Sequence, residues 1–127
     1  MAKDEYDRLV CTILVFLYAR LKKKEKKSPE DYLIPMTKDF PIDTDYFNFV
    51  LLSMVDEGYI TGPKAIRAWG GEIVRMIDID DIRITPDGIH YLSESDRMKK
   101  VLEFFRDTAV QLLPGMLQVA TGLLAGI

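Results

Sequence analysis

Chemistry at a protein site needs a constellation, and the residues able to build one are few here. The sequence holds one histidine, His90, and one cysteine, Cys11. A zinc site takes three or four ligands, so these two alone do not make one. Cys11 stands among apolar residues at helical spacing and is expected in the core; His90, in a Gly-Ile-His-Tyr-Leu stretch, is expected at the surface. The densest acidic group is Asp78, Asp80 and Asp81. Strand alternation would put Asp78 and Asp80 on one side, where they could hold magnesium loosely. The glycine and distal glutamate of a calcium loop are missing, and a solvated strand end explains the acids equally well. No GxxxxGK[ST] or GxGxxG run is present. The sequence therefore offers no catalytic residue, no metal ligand set and no cofactor site, and a non-enzymatic role is expected.

Composition sets the frame for what remains. At 127 residues, 48% apolar and 29% charged, the chain has the makeup of a folded domain with a real core. Its formal net charge of -3 gives no global pull toward nucleic acid. A lone cysteine allows no internal disulfide, and the acidic start MAKDEYDR lacks the basic head of a signal peptide. A cytoplasmic setting is the expectation.

Periodicity supplies the elements. Tyr6, Leu9, Val10, Ile13, Leu14, Leu17, Tyr18 and Leu21 recur at three- and four-residue steps, which predicts a long first helix. It should stop in LKKKEKKSPE, where Lys22, Lys23, Lys24, Lys26 and Lys27 suit a helix C-terminus and Ser28-Pro29 breaks the chain. A short strand near Tyr32–Ile34 and at most one helical turn should follow. A second full helix is predicted from about Asp45 to Asp56, capped by Asp43 or Thr44 and stopped at Gly58. Two β-leaning runs flank Gly70-Gly71, a hairpin signal, with a bulge or edge implied by Gly62-Pro63. Thr85-Pro86 can open a further helix, and another should run from Asp96 to Leu113. The order is that of an α+β winged helix, a helix-turn-helix plus β-hairpin wing, with a C-terminal helical extension. Residues 1–95 would form the winged-helix domain and 96–127 an amphipathic helix with an apolar tail.

The runs EGYITG at 57–62 and ITPDGIHYLSESDRMKKVLEFF at 84–105 resemble the YjcQ-like family, small winged-helix proteins found largely in firmicute bacteria and in their phages and prophages. The matching residues are Glu57 to Ile60, Ile84, Thr85, Gly88, Tyr91 and Leu92, then the helix carrying Lys99 and Lys100. The resemblance covers roughly residues 4–113. It implies the fold and a phage or prophage setting, and it brings no catalytic residues. The longer lysine-rich end of the first helix and the apolar C-terminal extension depart from the family pattern.

Charge on the Asp45–Asp56 helix narrows the function. Residues 43–57 contain Asp43, Asp45, Asp56 and Glu57 but no Lys or Arg. At about 100° per residue, Phe47, Val50, Leu51 and Met54 share the core side, while Asp45, Phe49, Leu52 and Asp56 fall on the opposite one. In a winged helix that side meets DNA, and aspartates there would repel phosphate. Cover by the tail or by a second copy, or contact with a foreign host protein, is expected ahead of DNA. Trp69, beside the Gly-Gly tip, either packs across the hairpin or anchors a partner. The tail (108–127) has no charged side chain. Leu113, Met116, Leu117, Ala120, Leu123, Leu124 and Ile127 follow helical spacing and are the candidates for self-association. The leading expectation is a phage- or prophage-type module that acts by binding protein, as a homo-oligomer or on a host target. A DNA-binding regulator using Lys22, Lys23, Lys64, Arg67 and Arg75 is the alternative, and membrane attachment through the tail a third, disfavoured one.

Overall fold

A computed structural model describes residues 2–108 and 112–126, with side chains from residue 5 onward. It is a mixed α+β structure: six α-helices and two small antiparallel sheets among the described residues.

Helix α1 (Ala2–Leu21) is the axis of the core. Leu9, Val10, Ile13, Leu14 and Leu17 are buried as their spacing predicts, and so are Cys11, Val15 and Phe16 on the other sides. A helix apolar all round must be surrounded, and α1 is packed by α3, α4, α5, α6 and β4. It ends in a Schellman motif: the Lys24 N–H donates to Ala19 O, the Lys23 N–H to Arg20 O, and Lys23 takes a left-handed φ of 60°. The lysine run thus folds back as a turn, with Arg20 Nη1 donating to Lys27 O.

The strand expected near Tyr32–Ile34 is absent. Instead α2 (Pro29–Tyr32) is a single turn whose N-cap, Ser28, accepts from the Asp31 N–H. Tyr32 is spent on an aromatic ladder, stacked on Phe16 at 4.5 Å and edge-on to Phe40, which in turn meets Phe47. The ladder ties α1 to α3 (Thr44–Asp56), capped by Asp43 as expected. Phe47, Val50, Leu51 and Met54 are its buried side.

Strand β1 (Ile60–Thr61) pairs with β4 (Arg83–Ile84), a two-residue strand too short to leave an alternation signal. Between them the hairpin β2 (Lys64–Arg67) and β3 (Ile73–Ile77) forms its own sheet, with a bulge at Ile66/Arg67. Gly62, between β1 and β2, has a left-handed φ of 117°, and a Cβ there would lie 2.7 Å from the Asp81 carbonyl oxygen. The Asp78–Asp81 segment is a 3₁₀ turn entered through a left-handed Asp78. The strand alternation expected for Asp78 and Asp80 therefore does not apply.

Helix α4 (Pro86–Glu94) begins at Thr85, whose Oγ1 accepts from the Gly88 N–H and donates to Gly58 O. Gly88 is pressed against the Tyr59 backbone, Tyr91 stacks on Tyr59 at 4.4 Å, and Leu92 is buried. The Thr-x-x-Gly-x-x-Tyr-Leu motif is thus a clasp holding α4 onto the chain that leaves α3. Helix α5 (Asp96–Thr108) follows and buries Met98, Val101, Leu102 and Phe105. Of the expected extension to Leu113, residues 109–111 lie outside the described residues, and Leu112 and Leu113 are not helical; Leu113 stands instead as the N-cap of the next helix, ahead of Pro114.

Helix α6 (Pro114–Leu124) lies on α1 and α5. Gly115 abuts the Lys24 carbonyl so closely that a Cβ would sit 2.1 Å from its oxygen. The lysine-rich turn and α6 are thus packed against each other.

Candidate protein-binding surfaces

Helix α3 is fixed to the core by its apolar stripe, which turns Asp45, Phe49, Leu52 and Asp56 away from it. Asp45 and Asp56 are exposed and Leu52 is half-buried. Phe49 stays 57% exposed although one side stacks on Tyr46 at 6.3 Å. Among the described residues the ion pairs are Lys64–Asp78, His90–Glu94 and Arg106–Asp107, so neither α3 aspartate is neutralised within the chain. Helix α6 lies on α1 and α5, and among the described residues Phe49 is left exposed.

The hairpin β2–β3 packs chiefly on itself. Trp69 at its tip is fully exposed, so the expected cross-strand packing is not found. Arg67 donates from Nη1 to the Gly71 carbonyl and so braces the tip. Arg75, directly opposite Ile66, is exposed and has no carboxylate partner among those ion pairs. Lys64 lies 3.8 Å from Asp78 across a solvated gap. Sequence reasoning missed Ile66 and Val74, both exposed beside these cations. β-Branched residues in a strand read as core-facing, and the bulge that leaves Val74 unpaired has no compositional mark.

The tail residues divide. Met116 and Ala120 are buried in this chain's own core, Leu113, Leu123 and Leu124 are partly buried, and Leu117 is 46% exposed. Ile127 lies outside the described residues. What remains outward for a second copy on α6 centres on Leu117. The helix has 11 residues, about 16 Å at 1.5 Å each, against the roughly 30 Å of a bilayer core. No described helix is long and apolar enough to cross a membrane.

The chemistry-bearing residues stay apart. Cys11 is fully buried and burial pushes its thiol well above the ordinary value. His90 is on the surface of α4, its Nδ1 2.7 Å from Glu94. Among the described residues no three His, Cys, Asp or Glu side chains gather as metal ligands. A cleft of about 410 Å³ lies over Met54, ringed by Tyr6, Tyr59, Tyr91, Glu57 and Arg97. Burial, then the neighbouring Tyr91 and Glu57, hold the Tyr6 hydroxyl above its usual range, which makes it a neutral packing group. Lys22 and Lys23 are exposed on the Schellman turn, and the Lys22 Nζ leans over the Tyr18 ring at 5.1 Å.

The sequence matches the YjcQ family, described as YjcQ protein, over residues 12–108. That is more than half of the chain, and the chain belongs to this family. The matched span ends where α5 ends, so α6 lies beyond it. Nothing matches among the curated proteins or among the solved structures.

Proposed function

We propose that this protein is a winged-helix interaction module, of phage or prophage type, that acts by binding protein and catalyses no reaction. In this assignment α3 stands in the recognition-helix position and the hairpin β2–β3 is the wing. The carrying observation is the outer face of α3, where Phe49 is 57% exposed between two exposed aspartates that have no cationic partner within the described chain. Exposed aromatic surface is what interfaces bury, and carboxylates oppose phosphate contact. The phage or prophage setting rests on the family resemblance alone. The test is the combined variant D45K, D56K and F49A, with helix content checked first. Self-assembly and capture of a protein partner should both be lost; an unchanged pattern of both would refute the assignment.

A second reading has one observation in its favour. Arg75 and Arg67 are exposed on the wing without a carboxylate partner among the described residues, and with Lys64, Lys22 and Lys23 they could grip a nucleic-acid backbone. That DNA-binding regulator requires R67E with R75E to abolish duplex binding while F49A leaves it intact.

A further inference from the structure

Resting on the protein-binding assignment above, we infer that the cleft over Met54 receives a cationic side chain, a lysine or arginine of the protein partner. Tyr6, Tyr59 and Tyr91 line it together with Glu57 and Asp96. A tyrosine ring attracts a cation through its negative face, and a carboxylate beside the ring adds direct charge attraction. At about 410 Å³ the cleft is at the small end of the roughly 300–1,000 Å³ of ligand sites, which suits one long side chain.

Four helices and the chain after α3 build it. Tyr6 comes from α1, Glu57 is the C-cap of α3, Tyr91 belongs to α4 and Asp96 opens α5. The clasp made by Thr85 and Gly88 holds Tyr91 on Tyr59 at 4.4 Å, so two of the rings are fixed before a guest arrives. Each covers one face of the other, yet all three tyrosines remain half-buried rather than buried. Glu57 and Asp96 are exposed and have no cationic partner among the described residues. Asp87 is a third carboxylate nearby. Burial, then Tyr91 and Glu57, hold the Tyr59 hydroxyl above its usual range, and Tyr6 and Asp87 add to this. Arg97 is the cation among the lining residues. Three carboxylates against one guanidinium, around neutral rings, favour a positive guest.

The cleft also continues the outer face of α3. Phe49 stacks on Tyr46, and Tyr46 is close enough to Tyr6 to help raise its hydroxyl, after burial, Tyr91 and Glu57. Aromatic surface thus runs from Phe49 into the cleft, with Asp45, Asp56 and Glu57 beside it. Eight helical steps separate Phe49 from Glu57, about 12 Å, which an extended segment spans in about four residues. A partner segment with an apolar residue on Phe49 and a lysine or arginine about four positions away meets both surfaces, and opposite charge faces opposite charge.

The test is a nuclear magnetic resonance titration of the full, nitrogen-labelled chain. The probes are acetyl-Gly-Arg-Gly-amide, its lysine counterpart, tetramethylammonium chloride and, as control, acetyl-Gly-Glu-Gly-amide. Both cationic peptides should shift the amides of Tyr59, Tyr91, Ser95 and Arg97 saturably, with Kd on the order of 1–10 mM for a single side chain. E57Q and Y91L, checked for helix content and thermal unfolding, should each weaken this at least about threefold, and R97Q should tighten it. E72Q, the same exchange on the hairpin, should change nothing. Rising salt, from about 50 to about 500 mM, should weaken binding.

Three results would overturn the inference. One is no saturable shift up to about 50 mM of either cationic peptide, or an equal shift with the glutamate peptide. Another is binding unaltered by E57Q, which would put the cation elsewhere. The third is tetramethylammonium filling the cleft while neither peptide does, which would make the guest a free quaternary amine and not a partner's side chain. In each case loss of partner capture in the D45K, D56K and F49A variant would leave the protein-binding assignment standing, so the two fail separately.

Discussion

Gly88 and the Tyr59 carbonyl are in backbone contact: a Cβ on Gly88 would lie 2.2 Å from the Tyr59 oxygen. The contact brings α4 against the chain leaving α3 and lets Tyr91 stack on Tyr59. In G88A the added methyl must push backbone aside. Helix propensity would favour alanine by about 1 kcal/mol, so a net loss of about 2 kcal/mol in urea unfolding, from overpacking, is the expected result.

Thr85 should be nearly as sensitive. Its hydroxyl receives the Gly88 N–H and donates to Gly58 O, and both bonds are partly buried. T85A should cost about 1–2 kcal/mol, and T85S should restore most of it. S28A removes only the exposed cap of a one-turn helix and should cost well under about 1 kcal/mol.

The tail's docking depends on Gly115. G115A should lift α6 from the Lys24 turn, since the new Cβ meets that carbonyl at 2.1 Å. Hydrogen exchange at the amides of Met116 to Ala120 should accelerate by at least about tenfold, while those of Ile13 to Phe16 in α1 change little.

Alkali should unfold this protein early. Burial, ahead of neighbouring charges, raises Tyr6 and Tyr32 above 10.0 and Cys11 above 9.0. With folded values raised, the unfolded chain loses these protons first, so their contribution is complete below the ordinary values and is lost as pH rises past them. Stability should therefore decline from about pH 9 upward, more gently in Y6F. Native Cys11 should also resist a thiol reagent at pH 8 and react once the chain is denatured.

Sequence patterning captured α1, α3 and α5 well because each has a long apolar stripe. Helix α1 ends at Leu21, α3 is capped at Asp43, and Thr85 opens α4, all as composition and capping rules imply. It failed where tertiary partners decide. Tyr32–Ile34 read as a strand because an aromatic and an aliphatic residue flank a Leu, yet Tyr32 is drawn into a ring ladder that only the fold assembles. Strand β4 exists because β1 is beside it. Trp69 could be read either as cross-strand packing or as a partner anchor, and only its full exposure rules out the first; the bulge that leaves Val74 unpaired is invisible in composition. The acidic, apolar side of α3 was legible at once, since helical spacing alone places Asp45, Phe49, Leu52 and Asp56 together. That α6 docks on α1 and α5 and Phe49 stays exposed could be learned only from the fold.

The measurement that bears most directly on the central claim is binding to mixed duplex DNA of about 30 base pairs across about 50 to 200 mM salt, the range over which phosphate contacts reveal themselves. A protein-binding module with aspartates on α3 should show no appreciable binding even at the lowest salt. Tight binding that falls steeply with salt would contradict the account and make the hairpin β2–β3, not α3, the working surface.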